Sequence, residues 1–122
     1  MRILMIEDNE SNAYLARFLL ERRGHEVVVA PTGTEGVGFA RASRYELILL
    51  DLRLPDGDGC DFVPGLVPPG APDPVPVIAV SAHALAADRV RASEVGCCAF
   101  IEKPIDVTTF VDRIEEIAAE RT

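Results

Sequence analysis

The run Leu47-Ile48-Leu49-Leu50-Asp51 puts four large aliphatic residues in a row and ends them on an acid. Leu52-Arg53-Leu54-Pro55-Asp56-Gly57, a stretch rich in turn-forming residues, follows at once. An unbroken aliphatic run of this length reads as a strand buried on both faces, as in a parallel sheet covered by helices. Asp51 therefore stands where a buried strand emerges. Open α/β sheets bind their ligands in the crevice outside the carboxyl ends of the strands.

Other stretches repeat the pattern. Ile3-Leu4-Met5-Ile6 runs into Glu7-Asp8, Val77-Ile78-Ala79-Val80 into Ser81, and Ala99-Phe100-Ile101-Glu102 into Lys103-Pro104. With Leu47-Ile48-Leu49-Leu50, the four runs bring three acids, a hydroxyl and an amine to one edge. A further run, Glu26-Val27-Val28-Val29-Ala30, ends in Pro31 and offers no chemical group.

Helix-like segments separate the runs, and strict alternation of strand and helix implies an α/β fold with helices on both faces of one parallel sheet. The spacing predicts a first helix over about Ser11 to Arg23, with Leu15, Phe18 and Leu19 facing the core and Gly24 ending it. A second helix, Thr34 to Ser43, turns Val37 and Ala40 inward, although Gly36 and Gly38 each lower its propensity by roughly 1 kcal/mol. Another begins near Ala84, with Ser81 in reach of a capping role. The last carries Val107, Phe110, Val111, Ile114, Ile117 and Ala118 at helical spacing, with Asp106 placed to cap its start.

A chain of 122 residues fits a single domain, 1–122, with enough apolar content to bury a core without metal or disulfide staples. No apolar stretch approaches the roughly 18 residues of a membrane span, and the first strand starts too early for a signal peptide, so a cytoplasmic protein without membrane contact is expected. Cys60, Cys97 and Cys98 form no C-x-x-C pair and read as buried or half-buried reduced thiols. His25, just after Gly24, reads as a surface turn residue. The net charge of −8, with twelve scattered basic residues, is the wrong footprint for direct nucleic-acid binding.

If Glu7, Asp8 and Asp51 converge, they cannot all stay ionised unaided. Two carboxylates about 4 Å apart repel by roughly 4 kcal/mol at an effective dielectric of 20. A hard divalent cation relieves this, and an all-oxygen cluster without Cys or His ligands favours Mg²⁺ over zinc, with Mn²⁺ a possible substitute. Lys103 and the Ser81 hydroxyl acquire a purpose if a phosphoryl group binds beside the cation. A carboxylate nucleophile, a divalent ion and an amine are the parts that move phosphate onto an aspartate. Asp51, ending the central strand, is the natural nucleophile, and Glu7 and Asp8 are the natural metal holders.

Together, Glu7-Asp8, Asp51 followed by Pro55, Asp58 and Gly59, Ser81-Ala82, and Lys103-Pro104 resemble the motif set of the response-regulator receiver domain, across essentially the whole chain. Within that family, Ile6-Glu7-Asp8-Asn9-Glu10 and the stretch from Gly96-Cys97 to Lys103-Pro104-Ile105 resemble single-domain regulators of the DivK type and receivers of hybrid histidine kinases. The resemblance implies a flavodoxin-like, doubly wound, five-stranded parallel sheet of order 2-1-3-4-5 with five helices. That order is taken from the family and not read from these residues. It implies that Asp51 accepts a phosphoryl group from a histidine kinase or histidine phosphotransfer protein. Metal contacts would come from Asp8, Asp51 and the backbone carbonyl of Arg53, with Glu7 acting through water. Ser81, Ala82 and Lys103 would bind the phosphoryl group, and Ser81 and Phe100 would form the switch pair. Pro104 would follow a cis peptide bond. His83 and the Arg53 side chain would tune the lifetime of the phosphorylated state.

On this reading the chain is not a conventional enzyme. It is a two-component phosphorelay switch without an output domain, a monomer or weak dimer read by a downstream protein target. A receiver fragment of a hybrid sensor kinase is one alternative. A phosphatase with an aspartyl-phosphate intermediate is another, although such enzymes carry a second acid two residues after the nucleophile, where this chain has Arg53. The stretch from Pro64 to Pro76 departs from the family pattern, because six of the nine prolines fall there. Proline costs roughly 3 kcal/mol in a helix interior, so the third helix should be short, about Cys60 to Leu66, and followed by a stiff extended loop. That loop is either tolerated variation or a dedicated docking surface.

Overall fold

A computed structural model describes residues 1–82 and 85–120. Five strands form one parallel sheet: β1 (Arg2–Ile6), β2 (Glu26–Ala30), β3 (Leu47–Leu50), β4 (Val77–Ser81) and β5 (Ala99–Glu102). Their order is β2-β1-β3-β4-β5, so β3 is central. Every neighbouring pair is parallel, and Ile6 lies level with Ala30 and Leu50. Five helices cover the sheet: α1 (Glu10–Arg22), α2 (Gly33–Ala42), α3 (Val63–Leu66), α4 (Ala86–Glu94) and α5 (Phe110–Glu120). Among the described residues no helix is long and apolar enough to cross a membrane.

Alternation along the strands feeds two cores. Ile3, Met5, Leu47, Leu49, Ile78 and Val80 pack with Ala13, Ala16 and Leu20 of α1 and Phe110, Val111 and Ile114 of α5. Leu4, Ile6, Ile48, Leu50, Val77 and Ala79 pack on the other face, with Val63 and Leu66 of α3 and Ala92 of α4. All four residues of β3 are buried. At about 1.5–3 kcal/mol for each large aliphatic side chain, this strand is a principal source of stability. Cys60 and Cys97 are buried as free thiols, and burial pushes them up to about 11 and about 12, so both stay protonated.

The helices differ in detail from the sequence reading. The buried face of α1 is Ala13, Ala16 and Leu20, whereas Phe18 is 46% and Leu15 37% exposed. Large residues on the sheet fill the interlayer space, and alanines let the helix come close. In α2 Val37 and Ala40 do turn inward, half-buried against the core, but the fully buried positions are Gly33 and Gly36. A Cβ on Gly36 would overlap Ile6 Cδ1, so this glycine is a close-packing residue and not merely a weak helix former. The last helix begins only at Phe110 and leaves Val107 exposed. Asp106 instead closes a preceding turn, its carboxylate accepting from the Thr108 amide at 2.9 Å and its carbonyl from the Phe110 amide at 2.9 Å.

The third helix is short, as its prolines require. A single 3₁₀ turn (Gly59–Phe62) leads into α3, which has Pro64 in its first turn. The following loop is not extended throughout. The Ala71 amide donates to the Pro68 carbonyl at 3.1 Å, and Gly70 has φ of 81°, as a turn with proline then glycine at its centre requires. Ser81 ends β4, and the N-cap position of α4 falls on Leu85, which makes no side-chain hydrogen bond. His83 and Ala84 lie outside the described residues.

Candidate functional site

The register of the sheet assembles the site. The Glu7 amide donates to the Ala30 carbonyl and the Asp51 amide to the Ile6 carbonyl, both at 3.0 Å, so both acids leave the sheet level with one another. Glu7 is 6% and Asp51 8% exposed, while Asp8 is exposed. One carboxylate oxygen from each of the three lies within 4.8 Å of the others, the separation expected of groups sharing one cation. Asn9, next in line, accepts from the Asn12 amide at 3.0 Å and starts α1 directly behind the cluster.

Lys103 arrives from β5 as the counter-charge. Its amide donates to the Ser81 carbonyl at 3.0 Å, and the Lys103–Pro104 peptide bond is cis. Its Nζ donates to Glu7 Oε1 and, at 3.2 Å, to Asp51 Oδ2. The other Asp51 oxygen, Oδ1, accepts from the Arg53 amide at 3.0 Å. Asp51 is therefore held by one oxygen while the second faces the ammonium.

One ammonium serves two buried carboxylates, so without a cation the trio tends to retain an extra proton. Burial is the main reason that Glu7 is raised from 4.5 to about 7, reinforced by its hydrogen bond and charge repulsion with Asp51 and opposed by Lys103. Burial alone would lower the Lys103 amine, but the hydrogen bond to Glu7 and the charges of Asp51 and Glu7 raise it above its ordinary value. The amine stays protonated, and Glu7 is a carboxyl that burial brings into the neutral range.

Ser81 is fully buried at the end of β4, level with Glu102. Ala82, exposed, lines a cavity of about 260 Å³ together with Asp51, Lys103, Met5, Leu15 and Phe110. Phe100 stands apart. Its ring packs with the α3 and α4 core and lies 4.6 Å from the Arg89 guanidinium. Arg53 is exposed in a short antiparallel ribbon, Arg53–Leu54 with Gly57–Asp58. The sheet thus gathers Glu7, Asp8, Asp51, Lys103, Ser81 and Ala82 at one edge and leaves Phe100 on the flank.

Two features of the surroundings escaped sequence reasoning. Asp56, at the tip of the ribbon, bonds to the start of α2, and Arg91 of α4 pairs with Asp58 at 2.8 Å and Asp61 at 2.7 Å. Both link residues distant in sequence, for which local spacing carries no signal. Gly59 is a third constraint. A Cβ there would overlap the Asp51 carbonyl oxygen and come within 2.8 Å of Leu52 Cα. Backbone cannot yield as a side chain does, so Gly59→Ala is expected to cost about 1–3 kcal/mol and to lower the thermal midpoint by roughly 3–10 °C. An unchanged melting curve would mean that the chain leaves β3 by another route.

Comparison with known proteins agrees with this geometry. The profile of the response regulator receiver domain matches residues 3–115. The polar-differentiation response regulator DivK of Brucella anthropi is 38% identical over 113 residues, covering 93% of this chain and 92% of the relative. The non-phosphorylated HemR receiver domain of Leptospira biflexa superposes with a TM-score of 0.86 at 34% identity, over 97% of this chain and 94% of the other. A CheY-like receiver domain protein of Methanospirillum hungatei gives 0.87 at 28% identity, over 98% and 94%. This chain belongs to the response regulator receiver family of two-component signalling.

Proposed function

We propose that Asp51 is the phosphoacceptor of a signalling switch, receiving its phosphoryl group from a phosphohistidine on a kinase or phosphotransfer protein. The observation that carries this is the split environment of Asp51, one oxygen fixed by the Arg53 amide and the other facing Lys103 inside a three-carboxylate cluster. In the transfer, Asp51 Oδ2 attacks phosphorus, the P–N bond to the imidazole breaks, and its electron pair leaves with the imidazole. Lys103 stays protonated and holds the phosphoryl oxygens as charge moves onto Asp51.

The donor set suits Mg²⁺. It is all oxygen and carries three carboxylates against one ammonium, and repulsion from Asp51 adds to burial in raising Glu7. Asp8, Asp51 and the Arg53 carbonyl would hold the ion with Glu7 behind, and a cation there would neutralise the phosphoryl oxygens. Ser81, Ala82 and Phe100 are the residues proposed to answer the new charge, shifting the protein between two conformations read by another protein. Arg53 and His83 are proposed to set how long the phosphate survives. Incubation with a small acyl phosphate and Mg²⁺ should add one phosphate by intact mass and none when a chelator removes the metal. Equal labelling of the chelated sample would refute the metal role.

The donor needs a surface to dock on, and α1, which starts at the acid edge, supplies one along its exposed face. Tyr14 is 72% and Phe18 46% exposed, their rings are stacked at 6.3 Å, and Arg22 covers Phe18. Exposed aromatic rings backed by an arginine are the kind of anchor that carries binding energy at interfaces, and this pair lies on the helix that starts at the acid edge. Tyr14→Ala with Phe18→Ala should slow transfer from the partner kinase about tenfold or more and leave labelling by a small acyl phosphate unchanged. If both donors slow equally, the patch supports the fold and not the partner.

A further inference from the structure

Asp51 is oriented by a segment too short to be stable alone. The Arg53 amide that holds Asp51 Oδ1 belongs to a two-residue ribbon, Arg53 opposite Asp58 and Leu54 opposite Gly57, and isolated ribbons even longer than this are marginal. Something outside the ribbon must fix its tip. Asp56 sits at that tip and uses both carboxylate oxygens on the first turn of α2. Oδ1 accepts from the Gly33 amide at 3.0 Å, and Oδ2 from the Thr34 amide at 2.9 Å and the Thr34 hydroxyl at 2.8 Å. The Thr34 and Gly33 amides hold its carboxyl below the usual range, so it is ionised at neutral pH.

The helix has a cap of its own. The Thr32 hydroxyl oxygen accepts from the Glu35 amide at 3.0 Å, as an N-cap residue does. What Asp56 adds is the location of the ribbon relative to α2. That helix rests on β1 through Gly36, against Ile6, the residue before Glu7. One body therefore sets both the strand end that carries Glu7 and the ribbon that aims Asp51.

We infer that Asp56 is a positioning residue for the reaction at Asp51, acting through the ribbon and the Arg53 amide to hold the carboxylate and the Arg53 carbonyl in register with Glu7 and Asp8. This rests on the reading of Asp51 as the metal-assisted phosphoacceptor. Residues that orient metal ligands typically change affinity 10–100-fold when lost.

Two substitutions separate positioning from helix capping. Thr32→Ala and Asp56→Ala each remove a cap from the same helix end, so both should lower the thermal midpoint. Only Asp56→Ala should speed hydrogen exchange of the Arg53 amide in the metal-free protein, weaken Mg²⁺ binding by about tenfold and slow labelling by a small acyl phosphate at saturating Mg²⁺. Asp56→Asn, which keeps an acceptor at the tip, should recover part of each effect. The inference is overturned if Asp56→Ala matches Thr32→Ala in Arg53 exchange and in Mg²⁺ affinity. If the wild-type chain neither binds Mg²⁺ nor takes up phosphate, it is the phosphoacceptor reading that fails, and a fast-exchanging Arg53 amide in Asp56→Ala would still establish the coupling of tip to ribbon.

Discussion

Asp51→Asn should take up no phosphate from either a small acyl phosphate or a partner kinase, under conditions that label the wild-type chain to near one phosphate per molecule. The substitution is unusually clean. Asparagine keeps a carbonyl oxygen at Oδ1, so the 3.0 Å bond from the Arg53 amide survives and the ribbon stays in place. What disappears is the anionic second oxygen that faces Lys103, and with it both the nucleophile and one charge of the cation cluster. Removing Asp51 relieves its repulsion with Glu7 but also its attraction to Lys103, so folding stability should move by only about 1 kcal/mol. The measurement is intact mass after incubation, paired with a melting curve. Phosphate uptake by a folded Asp51→Asn chain would place the acceptor elsewhere and sink the proposal.

How much of this was legible in the sequence depended on whether a feature is local. The strands were legible because β3 and β4 are buried on both faces, and that burial leaves uninterrupted runs such as Leu47-Ile48-Leu49-Leu50. The gathering of Glu7, Asp8, Asp51 and Lys103 was legible for the same reason: parallel strands in register bring all their carboxyl ends to one edge. Helix faces were less legible. Reading Leu15 and Phe18 as core residues assumed that the largest apolar side chains lie inside, whereas the close approach of α1 to a sheet of large residues selects Ala13 and Ala16. The glycines of α2 misled in the same way, since Gly36 is set by contact with Ile6, a neighbour 30 positions away in the chain. The supports of the site, Asp56 on α2 and Arg91 on Asp58 and Asp61, are tertiary hydrogen bonds and ion pairs between polar surface residues. Such residues look alike in a sequence whether or not they find a partner.

Glu7 should make the affinity for Mg²⁺ depend steeply on pH just below neutrality. Its carboxyl, raised to about 7 chiefly by burial and then by Asp51, is protonated in the metal-free protein at pH 6, and a cation beside it favours the ionised form. Binding must then release a proton, so affinity should rise about tenfold per pH unit between roughly 5 and 7 and level off above about 8. Titration calorimetry at pH 6 in two buffers of different ionisation enthalpy should find close to one proton released. Stability of the metal-free protein moves the opposite way. Because the folded pKa lies above the unfolded value of 4.5, the contribution of Glu7 is fully present below pH 4.5 and is lost as pH rises through about 7. Glu7→Gln, permanently neutral, should therefore be more stable than wild type at pH 8 without metal, by about 1–3 kcal/mol in unfolding free energy, and show little difference at pH 4.5. It should also bind Mg²⁺ more weakly at pH 8 and lose the pH dependence between 6 and 8. A wild-type chain that binds Mg²⁺ at pH 6 without releasing a proton would overturn this coupling, because Glu7 would then carry the same charge with and without the ion.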